Sequence, residues 1–412
     1  MDRQTTKTTA GNAAVSKDKA QAQATAKQPD GATMPAAQHG GAEKGAPGRL
    51  LSLDALRGFD MVFIMGGAAL LAALAQWLPC PFTHALAAQM DHVEWHGLRH
   101  HDTIFPLFLF IAGISFPFSL AKQRADGKSE GAVHWKVVRR GLTLVALGII
   151  YNGLLSHWDL TQARYASVLG RIGLAWMFAA LIYLHAGWRR RALYTAALLV
   201  GYWLLLRFVP APDGGGADIY SAQGSLTGYI DRLLLPGKIY YGNLDPEGIL
   251  GTMPAIATAL LGMLTGDWVR LKRQGLTPSR KAAWMAIAAV ALLAAGLLWS
   301  LDFPINKKLW ASSFVLVVAA YSLGLFALFY YIIDVQGHRR WTLFFTVIGL
   351  NSITIYLAQK FIDFHFTVDK LFGGLIRLTP EAAQPFFTAA AYIAVCWTFL
   401  YILYRLRIFL KV

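Results

Sequence analysis

The segment HVEWHGLRHHD, residues 92–102, holds four of the chain's 11 histidines: His92, His96, His100 and His101. Glu94 and Asp102 lie in the same segment, and Asp91 directly precedes it. Histidine is the usual general base near neutral pH, and a carboxylate bonded to one ring nitrogen fixes the tautomer and raises the basicity of the other. Asp102 enters the apolar run that follows, where it is placed to orient such a histidine. Two other readings compete. The plainer is an interfacial loop of solvated histidines. The other is a metal site, since His92, His96 and His100 recur at i, i+4, i+8. Gly97 argues against a regular helix there and no H-E-x-x-H is present, so no metal is expected.

A second cluster, SLDALRGFD (residues 52–60), sets Asp54, Arg57 and Asp60 at i, i+3, i+6. It reads either as a juxtamembrane anchor with an intrahelical ion pair or as an inward-facing Arg57 that meets a phosphate. A third set lies in GYIDRLLLPGKIYYGNLDPEGILGT (228–252) and FPINKKLW (303–310). There Asp231, Arg232, Asp245, Glu247, Asn306 and Lys307 mix with Tyr229, Tyr240, Tyr241 and Trp310. Rings that stack on sugar C–H faces and polar groups that read hydroxyls make a sugar cleft; an interfacial aromatic belt is the alternative. Asn351, Ser352, Gln359, Lys360 and Asp363 are costly in hydrocarbon and should face the bundle interior. Gly262 and Gly266 form a GxxxG, read as a close packing seam.

The elements that must carry these residues follow from composition. The 412 residues are 56% hydrophobic and only 15% charged, yet the net charge is +15. That much apolar content excludes a soluble nucleic-acid binder and a wholly disordered chain, and 2 cysteines exclude a disulfide scaffold. A polytopic all-α membrane protein remains. A span needs roughly 20 apolar residues. Ten stretches qualify, near 56–78, 103–121, 139–156, 170–188, 192–209, 249–269, 282–301, 310–334, 343–364 and 385–405. Most Lys and Arg sit in the N-terminal tail, in loops 122–140, 189–191, 270–281 and 335–341, and at the C-terminus. Both termini are therefore expected on the cytoplasmic side. Residues 1–50 have no aromatic residue and no apolar run, and read as a disordered tail rather than a cleaved signal, followed by one membrane domain over 51–412. The long loops 79–102, 157–169 and 210–248 fall on the outer side, where function concentrates. No Asn-x-Ser/Thr sequon occurs, which favours a bacterial cytoplasmic membrane.

Taken in order, SLDALRGFD, HVEWHGLRHHDTIFPLFLFIAGIS, GYIDRLLL with DPEGILGT, NKKLW and GLNSI resemble the heparan-alpha-glucosaminide N-acetyltransferase family of membrane acetyltransferases, from about Leu51 to Val412. The resemblance implies transfer of an acetyl group from cytosolic acetyl-CoA, across the membrane, to the amino group of a glucosamine on the far side. It implies that His92, which begins H-x-x-W-x-G with Trp95 and Gly97, is the active-site histidine. Asp102 is then its partner, and His96, His100 and His101 take no catalytic role. Family members also suggest a homodimer. Animal members carry a luminal domain and an extra preceding helix where this chain has its polar tail.

Charge pattern and resemblance together expect Arg57, Arg139 and Arg140 to hold the phosphates of acetyl-CoA on the cytoplasmic side. His92 then either carries the acetyl group or acts as general base. Trp95, Asp231, Arg232, Asp245, Glu247, Asn306, Lys307 and Asn351 are expected to meet the sugar acceptor. No metal and no nucleic acid are expected; the partners are the bilayer and the acceptor. A transporter of a sugar or lipid-linked saccharide is the alternative, although no repeat relates the two halves.

Overall fold

Why ten apolar stretches become a bundle follows from the backbone. In hydrocarbon every N–H and C=O must be satisfied within the segment, and a helix does this alone. The computed structural model describes residues 50–153 and 161–410, which are helical without a β-strand. The tail read as disordered lies outside the described residues, as do residues 154–160 of the third span and the loop after it. The helices are α1 (Leu51–Val62), α2 (Ala68–Trp77), α3 (Pro81–Ala88), α4 (His100–Ala125) and α5 (Glu130–Tyr151). After them come α6 (Val168–His185), α7 (Trp188–Phe208), α8 (Leu226–Leu234), α9 (Thr252–Arg270) and α10 (Pro278–Trp299). The last five are α11 (Ser312–Phe329), α12 (Thr342–Leu350), α13 (Ser352–Phe361), α14 (Phe364–Arg377) and α15 (Gln384–Arg405).

Among the described residues, each of the ten expected stretches overlaps one of these helices. Among the described residues seven are long and apolar enough to cross a membrane by themselves, and α12 with α13, bent by 68°, makes an eighth if it is one broken span. The chain is an all-α integral membrane protein. Two expected spans fall short of that measure: α5 holds Lys136, Arg139 and Arg140, and α9 holds three Thr, two Gly, Pro254 and Asp267.

Two kinds of deviation shape the interior. A wide π-type turn at Phe63–Gly67 joins α1 to α2, with Gly66 at φ 130°, a conformation that favours glycine. A second break sits at Asn351, between α12 and α13. Helix α14, unforeseen in the sequence, presents Phe366, Leu371 and Leu375 outward beside Lys370 and Arg377, as an amphipathic helix does at a membrane surface.

Helix α9 packs closely on α4. A Cβ at Gly262 would lie 2.2 Å from the Phe110 carbonyl oxygen, and one at Gly266 2.5 Å from that of Ile114. The GxxxG pair is thus a seam, joined from the other side by Gly113 against Ala259. It anchors α4, the helix that carries Asp102.

Gly262→Val should therefore destabilise the fold by about 1–3 kcal/mol, the usual cost of overpacking. Gly374→Ala in α14, where a Cβ meets nothing within 4 Å, should be neutral or stabilising by up to about 1 kcal/mol. Thermal unfolding of both variants in detergent checks the pair.

Candidate functional site

The site is built where α4 begins. Asp102 occupies the third position of that helix, and its Oδ2 accepts the backbone N–H groups of Arg99 (3.1 Å) and Val93 (3.4 Å). Its Oδ1 lies 2.6 Å from His92 Nδ1. Asp102 is buried at 2% side-chain exposure while His92 stands at 52%, so the carboxylate is fixed and the ring faces outward. A carboxylate at that distance requires the Nδ1 proton, which leaves Nε2 with the lone pair.

Lys307 reaches the same pair, with Nζ 3.5 Å from Asp102 Oδ1 and 3.3 Å from His92 Nδ1. An ammonium has no lone pair, so with Nδ1 protonated its attractive partner is the carboxylate. Burial pushes the Lys307 pKa below its ordinary value, against the opposing pull of Asp102 and Glu247. For His96 burial likewise lowers the pKa, with Asp218 acting in the other direction.

The loops that hold this pair are themselves tied together. Gly97, at φ 120°, donates its N–H to the Ile305 carbonyl at 2.8 Å, and Trp95 Nε1 donates to the Tyr220 carbonyl at 2.8 Å. The turn at 305–311 is closed by Asn306, whose Oδ1 accepts the Leu309 N–H at 2.9 Å. It is pinned by Trp310, fully buried and in the left-handed region at φ 56°. That conformation costs a non-glycine residue about 1–2 kcal/mol. The Trp310 ring packs against Phe105 and donates to Thr258 Oγ1, which anchors the turn. Lys307 is presented toward His92 as a result, and Lys308 toward the Glu94 carbonyl and the Trp95 and Tyr241 rings.

A cavity of about 310 Å³ opens here, lined by His92, Trp95, Asp102, Glu247 and Lys307 among others. Arg164, Tyr240, Tyr241 and Lys308 complete its polar wall. Arg164 bonds both Asp245 oxygens, at 2.6 and 2.8 Å, also bonds Glu247, and lies under the Tyr240 ring. Burial opposes its charge, but the two carboxylates outweigh that and raise its pKa.

A second cavity, of about 300 Å³, contains Arg57 and Arg140. Ile64, Phe105, Val168 and Tyr356 line both cavities, so the two are adjacent and share these four side chains as a wall. Arg57 donates to Ser115 Oγ at 3.3 Å and lies 3.7 Å from Asp54. Arg140 lies over the Trp176 ring, and its Nε is buried without a hydrogen-bond partner.

Of the residues singled out in the sequence, these two cavities gather His92, Asp102, Trp95, Glu247, Lys307, Arg57 and Arg140, together with His101, Tyr240, Tyr241 and Ser352. Arg139, one residue from Arg140, lies on the exposed face of α5 and lines neither cavity. Asp231, Arg232, Asp245, Asn306 and Asn351 are committed to the scaffold instead. Asp231 is wholly buried and accepts the backbone N–H groups of Asp245 and Ile249; burial pushes its pKa up to about 6, with those two donors pulling down. Arg232 turns away to Asp213 and the Asn243 carbonyl, and Asn351 sits at the break between α12 and α13. Buried loop backbone needs acceptors and donors, and these side chains supply them. Arg164, Lys308 and Tyr356 went unnoticed as site residues. The one available hint was an arginine in a long loop with a DPE segment elsewhere to receive it.

No family model matches the chain. It is 28% identical to heparan-alpha-glucosaminide N-acetyltransferase of Homo sapiens, over 89% of this chain and 60% of that protein. With the protein of the same name from Mus musculus the identity is 26%, over 78% of this chain and 56% of the relative. The chain thus spans less than two thirds of the length of these curated relatives. Similarity at this level to two such proteins, over most of the chain, supports its membership of the heparan-alpha-glucosaminide N-acetyltransferase family.

Proposed function

We propose that the protein is a transmembrane acetyltransferase that moves an acetyl group from cytosolic acetyl-CoA to an amino sugar on the outer side of a bacterial cytoplasmic membrane. One observation carries this reading: two adjacent cavities that share a wall, one holding Arg57 and Arg140, the other holding the His92–Asp102 pair. In this reading both termini are cytoplasmic, as the basic loops argue. The phosphates of acetyl-CoA rest against Arg57 and Arg140, whose charge is fixed, and the unpartnered Arg140 Nε gains an acceptor. The acyl end extends past Ile64, Phe105, Val168 and Tyr356 toward His92.

At His92 the chemistry balances in either of two ways. As general base, Nε2 takes a proton from the attacking amine, the N–C bond forms, the C–S bond breaks, and the imidazolium returns its proton to the CoA thiolate. As carrier, Nε2 first forms the C–N bond itself and releases the thiolate; the amine then attacks the carbonyl, the ring N–C bond breaks, and the amine proton passes through Nε2 to the thiolate. Asp102 holds the productive tautomer in both. Glu247 is suited to the acceptor's ammonium, and Trp95, Tyr240 and Tyr241 to its C–H faces. The transporter alternative draws on the broken α12–α13 pair; sugar uptake by proteoliposomes without acetyl-CoA would favour it.

The test uses sealed, oriented vesicles with labelled acetyl-CoA outside and an amino sugar inside. Acetylated sugar should form within, and His92→Ala should lower its rate by about 10²–10⁴-fold; no product, or an unchanged rate in the variant, contradicts the reading. In the same assay Arg140→Gln should raise the KM for acetyl-CoA about tenfold or more while kcat changes less, since a charge-assisted hydrogen bond contributes about 1.5–3 kcal/mol. The pH profile supplies a third check. With its pKa lowered, Lys307 keeps its charge below that value and loses it as pH rises through it, earlier than an ordinary lysine. Lys307→Arg, which stays charged, should move the alkaline fall in rate to higher pH.

A further inference from the structure

Helices α9 and α10 follow one another in sequence yet hardly touch, because α9 packs on α4 and α10 packs on α11. The gap between them is a groove of about 350 Å³, lined by Leu261, Leu264, Thr265, Met285 and Leu292 and floored by Phe110 and Leu323. Protein interiors leave few voids larger than a water molecule, so a groove of this size is filled by something. It belongs to neither cavity described above.

The end of the groove changes character. Trp268 and Trp284 line it and also line a second hollow of about 420 Å³, whose other walls include Arg273, Gln274, Gly275 and Arg280. Tryptophan at such a boundary marks the membrane–water interface. The stretch 270–281 holds Arg270, Lys272, Arg273, Arg280 and Lys281 and no acidic residue. Arg280 donates to the Gly275 carbonyl and Lys281 to the Val269 carbonyl; among the described residues neither these nor Arg273 forms an ion pair with a carboxylate. The 22-residue α10 begins in the same place, and its first turn adds positive potential.

We propose that the α9–α10 groove and the Arg273–Arg280 hollow form one binding site for an anionic phospholipid, with an acyl chain between the helices and the headgroup phosphate against the two arginines. The fit is of two chemistries in register: hydrocarbon on one side of the tryptophans and an unneutralised cation pair on the other. A basic pocket between membrane helices is the kind of surface that anionic headgroups select. The lipid would fill the splay between α9 and α10 and so steady α9 against α4. The site is independent of the acetyl-transfer reading.

Native mass spectrometry of the full chain tests it. The protein, delipidated in a non-ionic detergent, is offered equal amounts of phosphatidylglycerol and phosphatidylcholine with identical acyl chains. The wild type should retain phosphatidylglycerol several-fold over phosphatidylcholine, and the Arg273→Gln/Arg280→Gln variant should bring the ratio near one. Arg189→Gln/Arg190→Gln, which alters another basic loop, should keep the wild-type preference, and Trp284→Ala should lower retention of both lipids. Chain-free glycerol phosphate should bind at least tenfold more weakly than the lipid. Equal retention by the wild type overturns the proposal. So does loss of preference in the Arg189/Arg190 control, or glycerol phosphate binding as well as the lipid.

Discussion

A carboxylate buried at the mouth of a membrane bundle must be fully bonded or it destabilises the fold. Asp102 meets this demand with the Arg99 and Val93 N–H groups on one oxygen and His92 Nδ1 on the other, with the Lys307 ammonium nearby. The same contacts that satisfy the charge also orient the imidazole. Breaking the backbone bonds would free Asp102 to turn, and His92 would lose the partner that fixes its tautomer. The surrounding connections exist to keep this arrangement in place: Gly97 to Ile305, Trp95 to Tyr220, and the buried, left-handed Trp310 beneath the lysines.

Around that pair the polar residues divide into two groups with different physics. Asp231, Asp245 and Asn306 are wholly buried, and their oxygens close turns and hold Arg164. Glu247, Lys307, Lys308 and the two tyrosines line the cavity, where Glu247 also bonds Arg164 and Lys308 the Glu94 carbonyl. The inner cavity follows the same division: Arg140 keeps a buried Nε with no hydrogen-bond partner, while Arg139 points outward from the same helix. Such an unsatisfied buried donor is expensive unless an anion completes it.

Much of this was legible beforehand, for physical reasons that differ by residue. The helices were visible because an apolar run of spanning length has few alternatives in hydrocarbon. His92 and Asp102 were visible because they are ten residues apart across a single turn into a helix, so a local pattern contains both. Arg164 was not, since its partners Asp245 and Glu247 lie 81 and 83 residues away and only the fold joins them. Arg139 and Arg140 cannot be told apart without knowing which face of α5 is buried. Asp231 and Asp245 looked like ligand contacts because composition does not show whether a carboxylate bonds a sugar or a backbone N–H. The break at Asn351 and the surface helix α14 interrupt what reads as one apolar stretch and its following loop.

The adjacent cavities lead to one decisive observation, a structure of the chain with acetyl-CoA bound. The phosphates should lie against Arg57 and Arg140, with the thioester carbonyl within reach of His92 Nε2 and the pantetheine between Ile64, Phe105, Val168 and Tyr356. A nucleotide bound elsewhere, or one whose thioester cannot approach His92, would contradict transfer through the bundle.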